Sequence, residues 1–285
     1  MAAQATGFRP HRYVGKAARR RLRHELSDRD RHVLSSLTEH RFLTTHHLSE
    51  LHFVAGASSR DTAGRSARRV LQRLARDGLV RRVDDRRVGG LRGGSEATIW
   101  HLTAAGARVL DEHAPRYRQH QPTLRFLEHC LAIADTHLLV LQIAQSMRGS
   151  ANVMVDPHTT RRYPGLGGNT LTLAPDLSVV IQASDDDGPY EDRWFIEVDR
   201  GTESIPTLLA KCEQYEAYRR SGIEQSQTDG AFPLVLWILE GRRAHDRKQE
   251  LTRRLQRSAR LTPQLHRLTS TSDETWEALV TGGQS

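Results

Sequence analysis

Along the first 112 residues the apolar positions fall into short helical repeats, followed by two alternating runs. In DRDRHVLSSLTEH, residues 28–40, Val33, Leu34 and Leu37 recur at helical spacing and predict a first helix. In FLTTHHLSELHF, Thr44 or Thr45 supplies the N-cap of a short helix ending near Leu51. The stretch SSRDTAGRSARRVLQRLARDGLV predicts a third helix, with Val70, Leu71 and Leu74 facing inward and Gly78 as its stop. VRRVDDRRV and EATIWHLT then read as strands joined by the glycine-rich GGLRGGS, a hairpin with Arg86, Arg87 and Arg92 at or near its tip. A helix over 103–112 closes this half, and the polar, proline-containing HAPRYRQHQPT reads as a linker over 113–123.

The second half has a different pattern. From Leu124 to Met147 one long amphipathic helix carries Leu124, Leu127, Leu131, Ala134, Leu138 and Leu141 along one side. NVMVD, a Gly and Pro loop, LAPDLSVVI, an acidic turn and RWFIEVD follow, then a helix from about Ile205 to Arg220 and the strand FPLVLWILE. The order helix, three strands, helix, strand sets helices against a mixed sheet, an α+β or α/β arrangement. Beyond Glu240, GRRAHDRKQELTRRLQRSAR predicts a basic helix, either a solvated face or an extension of a DNA track.

The apolar strand WFIEVD ends in Glu197 and Asp199, which the two-residue period of a strand places on one face. Pro175-Asp176 opens the strand before it. One reading is that these acids cap the following helix or pair with Arg200. The other is chemical: carboxylates are hard oxygen ligands suited to Mg²⁺, and a bound ion activates water and neutralises phosphate charge. Lys211, about one turn into the next helix, is one of only three lysines beside 39 arginines; Arg200 is a second candidate for a positive charge there. Glu128 and Asp135, seven apart, share a face of the first helix and fit solvent-facing groups. His129 and His137 are expected on the helix surface, and Tyr215 and Tyr218 as core or boundary aromatics. The sequence holds neither a recognisable Ser, His and Asp triad nor a phosphate-cradling G-x-x-x-x-G-K-[ST].

Length and charge sharpen this division. A chain of 285 residues accommodates two domains with separate cores. Of the net charge of +8, residues 1–112 carry 22 basic against 12 acidic side chains, and residues 113–285 carry 20 against 22. A basic half beside a near-neutral one points to a polyanion for the first. The first 25 residues are arginine-rich without an apolar segment, which excludes a secretory signal and predicts a basic arm over 1–26. No run is expected to reach the roughly 18 to 20 apolar residues that cross a bilayer. Cys130 and Cys212, without metal-like spacing, fit buried thiols in a reducing cytoplasm. On the third helix Arg65, Arg69, Arg73 and Arg76 share one face, with Arg68 beside them.

Three resemblances follow. The motif RVLQRLARDGLVRR … IWHLTAAG resembles a winged helix over 27–112. That implies double-stranded DNA as partner, the arginine face in the major groove and the hairpin on backbone or minor groove. The segment 124–285, with Pro175-Asp176 and Glu197-Val198-Asp199, resembles the αβββαβ core of the PD-(D/E)XK phosphodiesterases. There Asp176 and Glu197 would hold Mg²⁺ or Mn²⁺, Asp199 would assist as ligand or base, and Lys211 would take the role of the motif lysine, whose usual position is occupied by Asp199. Taken whole, LTTHHLSELHF, RVLQRLARDGLV, APDLSVVI, WFIEVDRGTES and KCEQYEAY are similar to the replication-relaxation family of actinobacterial plasmids and integrated mobile elements. The implied role is replication or DNA relaxation; the resemblance does not fix a nicking mechanism, but if the protein relaxes DNA, the absence of a histidine-hydrophobe-histidine relaxase motif leaves metal-assisted hydrolysis as the option. The alternatives are an inert replication initiator or regulator, and an assembly domain for protein partners. Other replication or transfer proteins and a second copy of the chain are the further partners implied.

Overall fold

In the computed structural model, which describes residues 14–83, 98–114, 122–165, 167–228 and 230–282, side-chain caps set most helix starts of the first unit, Met1–Leu127. After α1 (Lys16–Glu25), Ser27 caps α2 (Asp28–Glu39) reciprocally: Asp30 N donates to Ser27 Oγ and Ser27 N donates to Asp30 Oδ2. β1 (Phe42–Thr44) runs into α3 (Thr45–His52), whose cap is Thr44, and Ser59 caps α4 (Arg60–Arg76). β2 (Val80–Arg82) and β3 (Ile99–Leu102) pair antiparallel, and Thr103 caps α5 (Ala104–Leu110).

α4 buries Ala63, Ala67, Leu71 and Leu74, while Val70, expected inside, is half-buried. It stops at Gly78, whose φ of 75° suits a residue without a Cβ, and Leu79 N closes the turn on Leu74 O at 2.9 Å. Two features were not expected. β1 adds a third strand, giving the order β1-β3-β2. The basic arm is, from Lys16 to Glu25, a helix: Arg23 donates to the carbonyls of Val109 and Arg108 at 2.9 Å each, satisfying acceptors at the end of α5. The hairpin tip with Arg86, Arg87 and Arg92 lies outside the described residues, as do residues 1–13 and most of the expected linker.

The second unit, Glu128–Ser285, starts within the first turn of α6 (Leu124–Ser146). β4 (Ser150–Val155) is followed by a small antiparallel hairpin, β5 (Arg161–Pro164) and β6 (Thr170–Leu173), where only a loop was expected. Next come β7 (Leu177–Asp185), β8 (Gly188–Asp199), α7 (Ile205–Ser221), β9 (Leu234–Leu239), α8 (Ala244–Arg257), β10 (His266–Thr269) and α9 (Ser272–Thr281). The main sheet has the order β10-β9-β8-β7-β4, with β8 parallel to β9 and antiparallel to β7. The chain is thus mixed α+β, and β10 and α9 extend it past the last strand read from sequence.

Alternation along β8 builds two cores. Trp194, Ile196 and Val198 face α6 and α9, with Ile143 and Leu279; Phe195 faces α7 and α8, with Tyr215 and Leu251. The expectation of no membrane-length segment needs one correction: α6, at 23 residues, is long and apolar enough by length and composition. Half of its most apolar window is buried, and Val140, Ile143 and Ala144 pack into the core of the second unit, the pattern of a core helix.

Candidate functional site

Asp176 lies close enough for its charge to act on Glu197, because β7 begins short of the end of β8. The last antiparallel pair is Leu177 with Ile196, which leaves the amide of Val198 without a strand partner on that side. Asp176 supplies one from its side chain, with Val198 N donating to Oδ2 at 2.8 Å. Pro175, which has no amide hydrogen to give, sits just before the strand rather than in it. Glu197 points to the α7 face of the sheet. There Lys211 Nζ donates to Oε2 and the Tyr215 hydroxyl to Oε1, each at 2.5 Å. On the other side, His129 Nε2 of α6 lies 3.3 Å from Asp176 Oδ1.

Five residues from α6, the approach to β7, β8 and α7 therefore meet at the adjacent ends of two inner strands of the sheet. Side-chain exposure divides them: Glu197 is sealed at 4%, whereas Asp176 at 16%, Lys211 at 27% and His129 at 36% are open to solvent. Burial pushes the Glu197 carboxyl up to about 7; the charge of Asp176 acts in the same sense, while Lys211 and Tyr215 pull it back. Lys211 is held above its ordinary value, because the charges of Glu197 and Asp176 outweigh the burial that would lower it. The hydrogen bond to Asp176 raises His129. Burial, then Glu197, put the Tyr215 hydroxyl well above the usual phenol value.

Asp199 shares the face of Glu197 but is engaged elsewhere. Its Oδ1 accepts from Gly201 N at 3.1 Å and its Oδ2 from Arg247 Nε of α8 at 3.1 Å. Arg200 turns to Glu128 at 2.8 Å and Glu240 at 3.6 Å. Asp135 is exposed on α6. On α4, Arg65, Arg68, Arg69 and Arg76 are exposed, whereas Arg73 forms an ion pair at 2.5 Å with Asp30, a buried acid of α2.

His129 and Tyr215 belong to the cluster although their residue types and spacing predicted surface and core. Tyr215 had a usable signal, being four residues after Lys211 and so on the same helix face. His129 had none, since its contact depends on where α6 passes the end of β7. Among the described residues no set of three or more His, Cys, Asp or Glu gathers to hold a metal. Two carboxylates remain, and they fit Mg²⁺, which is commonly held by one or two carboxylates with waters and substrate phosphate completing its shell. Each carboxylate oxygen accepts one protein hydrogen bond, which leaves lone-pair capacity for an ion.

These features define a two-unit α+β protein with an acid, acid and lysine cluster at the adjacent ends of β7 and β8. A family model described as replication-relaxation matches residues 34–235, from α2 into β9, and the chain belongs to that family. Membership suggests a role in replication or relaxation of a plasmid or mobile element. No curated protein and no solved structure matches the chain.

Proposed function

We propose that this is a cytoplasmic DNA-binding protein that nicks DNA during replication or relaxation of a mobile element. The first unit acts as a winged helix, with α4 in the major groove of duplex DNA and Arg65, Arg68, Arg69 and Arg76 toward bases and phosphates. The second unit acts as a PD-(D/E)XK-like nuclease in which Asp176 and Glu197 hold Mg²⁺ or Mn²⁺.

The observation that carries the reading is the contact of Lys211 Nζ with Glu197, with Asp176 close enough to perturb both groups. The motif lysine has moved from the strand to α7, yet its ammonium reaches the acids. When bound, the divalent ion supplies a Lewis acid that neutralises phosphate charge and lowers the pKa of water. The chain's own residues do the rest. Tyr215 and Val198 N fix the two carboxylates, and Lys211, partly open to solvent, offers a fixed positive charge to the developing transition state. A tyrosine nucleophile is disfavoured at this site, because Tyr215 and Tyr218 are buried and donate to Glu197 and Glu224. Asp199 holds the strand end through Arg247.

A second reading, a binding protein without a reaction, is favoured by one observation: all four oxygens of Asp176 and Glu197 already face protein donors. Supercoiled plasmid with Mg²⁺ or Mn²⁺ separates the two. Wild type should produce open circles, and Asp176→Ala and Glu197→Ala should not. Equal inertness of all three, with duplex binding retained, selects the second reading.

A further inference from the structure

α8 is tied to Asp199, two residues beyond Glu197 on β8, and carries an arginine surface that the proposed reaction leaves unused. Arg247 anchors the helix to Asp199, and Leu251 and Leu255 are buried beneath it. Its exposed side presents Arg253, Arg254 and Arg257, and Arg260 follows in the next turn. Across a cleft of about 350 Å³, bounded by Leu209 and Leu261, lies α7. At the end of α7, Arg220 donates to the carbonyl of Arg260 at 3.0 Å and ties that turn down.

The charge here is segregated rather than merely abundant. Residues 113–285 hold 20 basic and 22 acidic side chains, yet this cleft is lined by Arg253, Arg254 and Arg257 against Glu213 and Glu250, with Arg260 exposed beside it and Arg220 facing the buried Glu216 at 3.9 Å. Arg253 and Arg254 share the single carboxylate of Glu250, at 3.0 and 2.7 Å, so the surplus stays positive. A concave basic surface between apolar walls concentrates potential more than a convex solvated helix face does.

We propose that the α7–α8 cleft is a second DNA-binding site, holding the sugar-phosphate backbone of the strand that flanks the acid cluster. From Glu250 to Arg257, the part of α8 that lines the cleft, the helix advances roughly 10 Å. At 3.4 Å per nucleotide along one strand, that spans roughly three nucleotides. The inference rests on the DNA-binding reading above, and it assigns phosphate contacts to the second unit in addition to α4.

The test is the salt dependence of duplex binding by the full chain, measured by fluorescence anisotropy between about 50 and 200 mM salt. The variant Arg253→Gln/Arg257→Gln/Arg260→Gln should show a slope of log K against log salt shallower by about 0.9 for each phosphate contact removed. Its thermal unfolding should match wild type. Arg65→Gln/Arg69→Gln is run in parallel. If the α8 variant keeps the wild-type slope and affinity while the α4 variant loses both, the second site is refuted and the first reading stands, leaving the cleft to an acidic protein partner. If wild type does not bind duplex at all, both fall.

Discussion

The Tyr215 hydroxyl and the Glu197 carboxylate meet 2.5 Å apart in the interior of the second unit, the tyrosine fully buried and the glutamate 3% exposed. The ring is held by Phe195 at 5.8 Å and Trp237 at 6.3 Å between centroids, so apolar packing delivers a polar group to a polar target. Tyr215→Phe keeps that packing and removes one donor from a buried carboxylate. We expect a loss of about 1–3 kcal/mol. Urea unfolding should show it as a lower midpoint at unchanged slope; an unaltered midpoint would mean that the bond contributes nothing.

Lys211 tests chemistry, with folding read beside it: as the partner of the buried Glu197 carboxylate, its loss should also lower the urea midpoint by the equivalent of about 1–3 kcal/mol. It is the only cation that contacts Glu197 among the described residues, and part of it reaches solvent. Lys211→Met should abolish plasmid nicking while leaving duplex affinity within about tenfold, since one partly exposed charge contributes at most about one phosphate contact. Lys211→Arg should restore the charge but little activity, because a planar fork does not reproduce a compact ammonium. Full nicking by Lys211→Met would remove the lysine from the mechanism.

Much of the architecture was legible because periodicity reports burial. Val33, Leu34 and Leu37, the cap at Thr44, and the strand WFIEVD all sit in the elements that their spacing predicted. β10 escaped notice because HRLT is short and half polar, and it is a strand only because its parallel neighbour β9 offers a free edge. The acids were legible as an anomaly in an apolar run. Of their partners only Lys211 was: Asp199 could meet Arg247 only after α8 had folded over the sheet, and Asp176 could meet His129 only once α6 lay at the end of β7. Sequence spacing reports which face a residue occupies, not which element arrives opposite.

The same limit applies to α4, where spacing grouped Arg73 with Arg65, Arg69 and Arg76. Asp30 accepts from Arg73 and also from Ser27 N, so the arginine pairs with an acid that caps α2 from a site 3% exposed on its side chain. Arg73→Ala should therefore destabilise the first unit by about 1–3 kcal/mol by leaving a buried charge underpaired. Arg69→Ala, on an exposed position, should stay within about 0.5 kcal/mol of wild type. It should instead make the salt slope of duplex binding shallower by about 0.9. Thermal melts and anisotropy titrations of both variants decide; a reversed pattern would move Arg73 onto the DNA face.

His266 makes the second unit sensitive to acid. Trp237 Nε1 donates to His266 Nδ1 at 3.2 Å, so Nδ1 carries no proton and the hydrogen sits on Nε2, which has no hydrogen-bond partner among the described residues. Protonation would set a second hydrogen against the indole N–H. Burial accordingly lowers the imidazole from 6.5 to about 4, with the charge of Glu216 opposing only in part. Because the folded value lies below the unfolded one, the unfolded chain takes up the proton first. The contribution to stability is present above the unfolded value and is lost as pH falls from about 6.5 toward about 4. At about pH 5 the loss should be about 2 kcal/mol relative to neutral pH. Urea midpoints of wild type and His266→Asn, whose side-chain oxygen can still accept from Trp237, measure it directly. The wild-type midpoint should fall more steeply between about pH 7 and 5 than that of the variant. His52, lowered likewise to about 4, contributes equally to both proteins and cancels in the difference. Parallel curves would show that His266 is not the group that titrates.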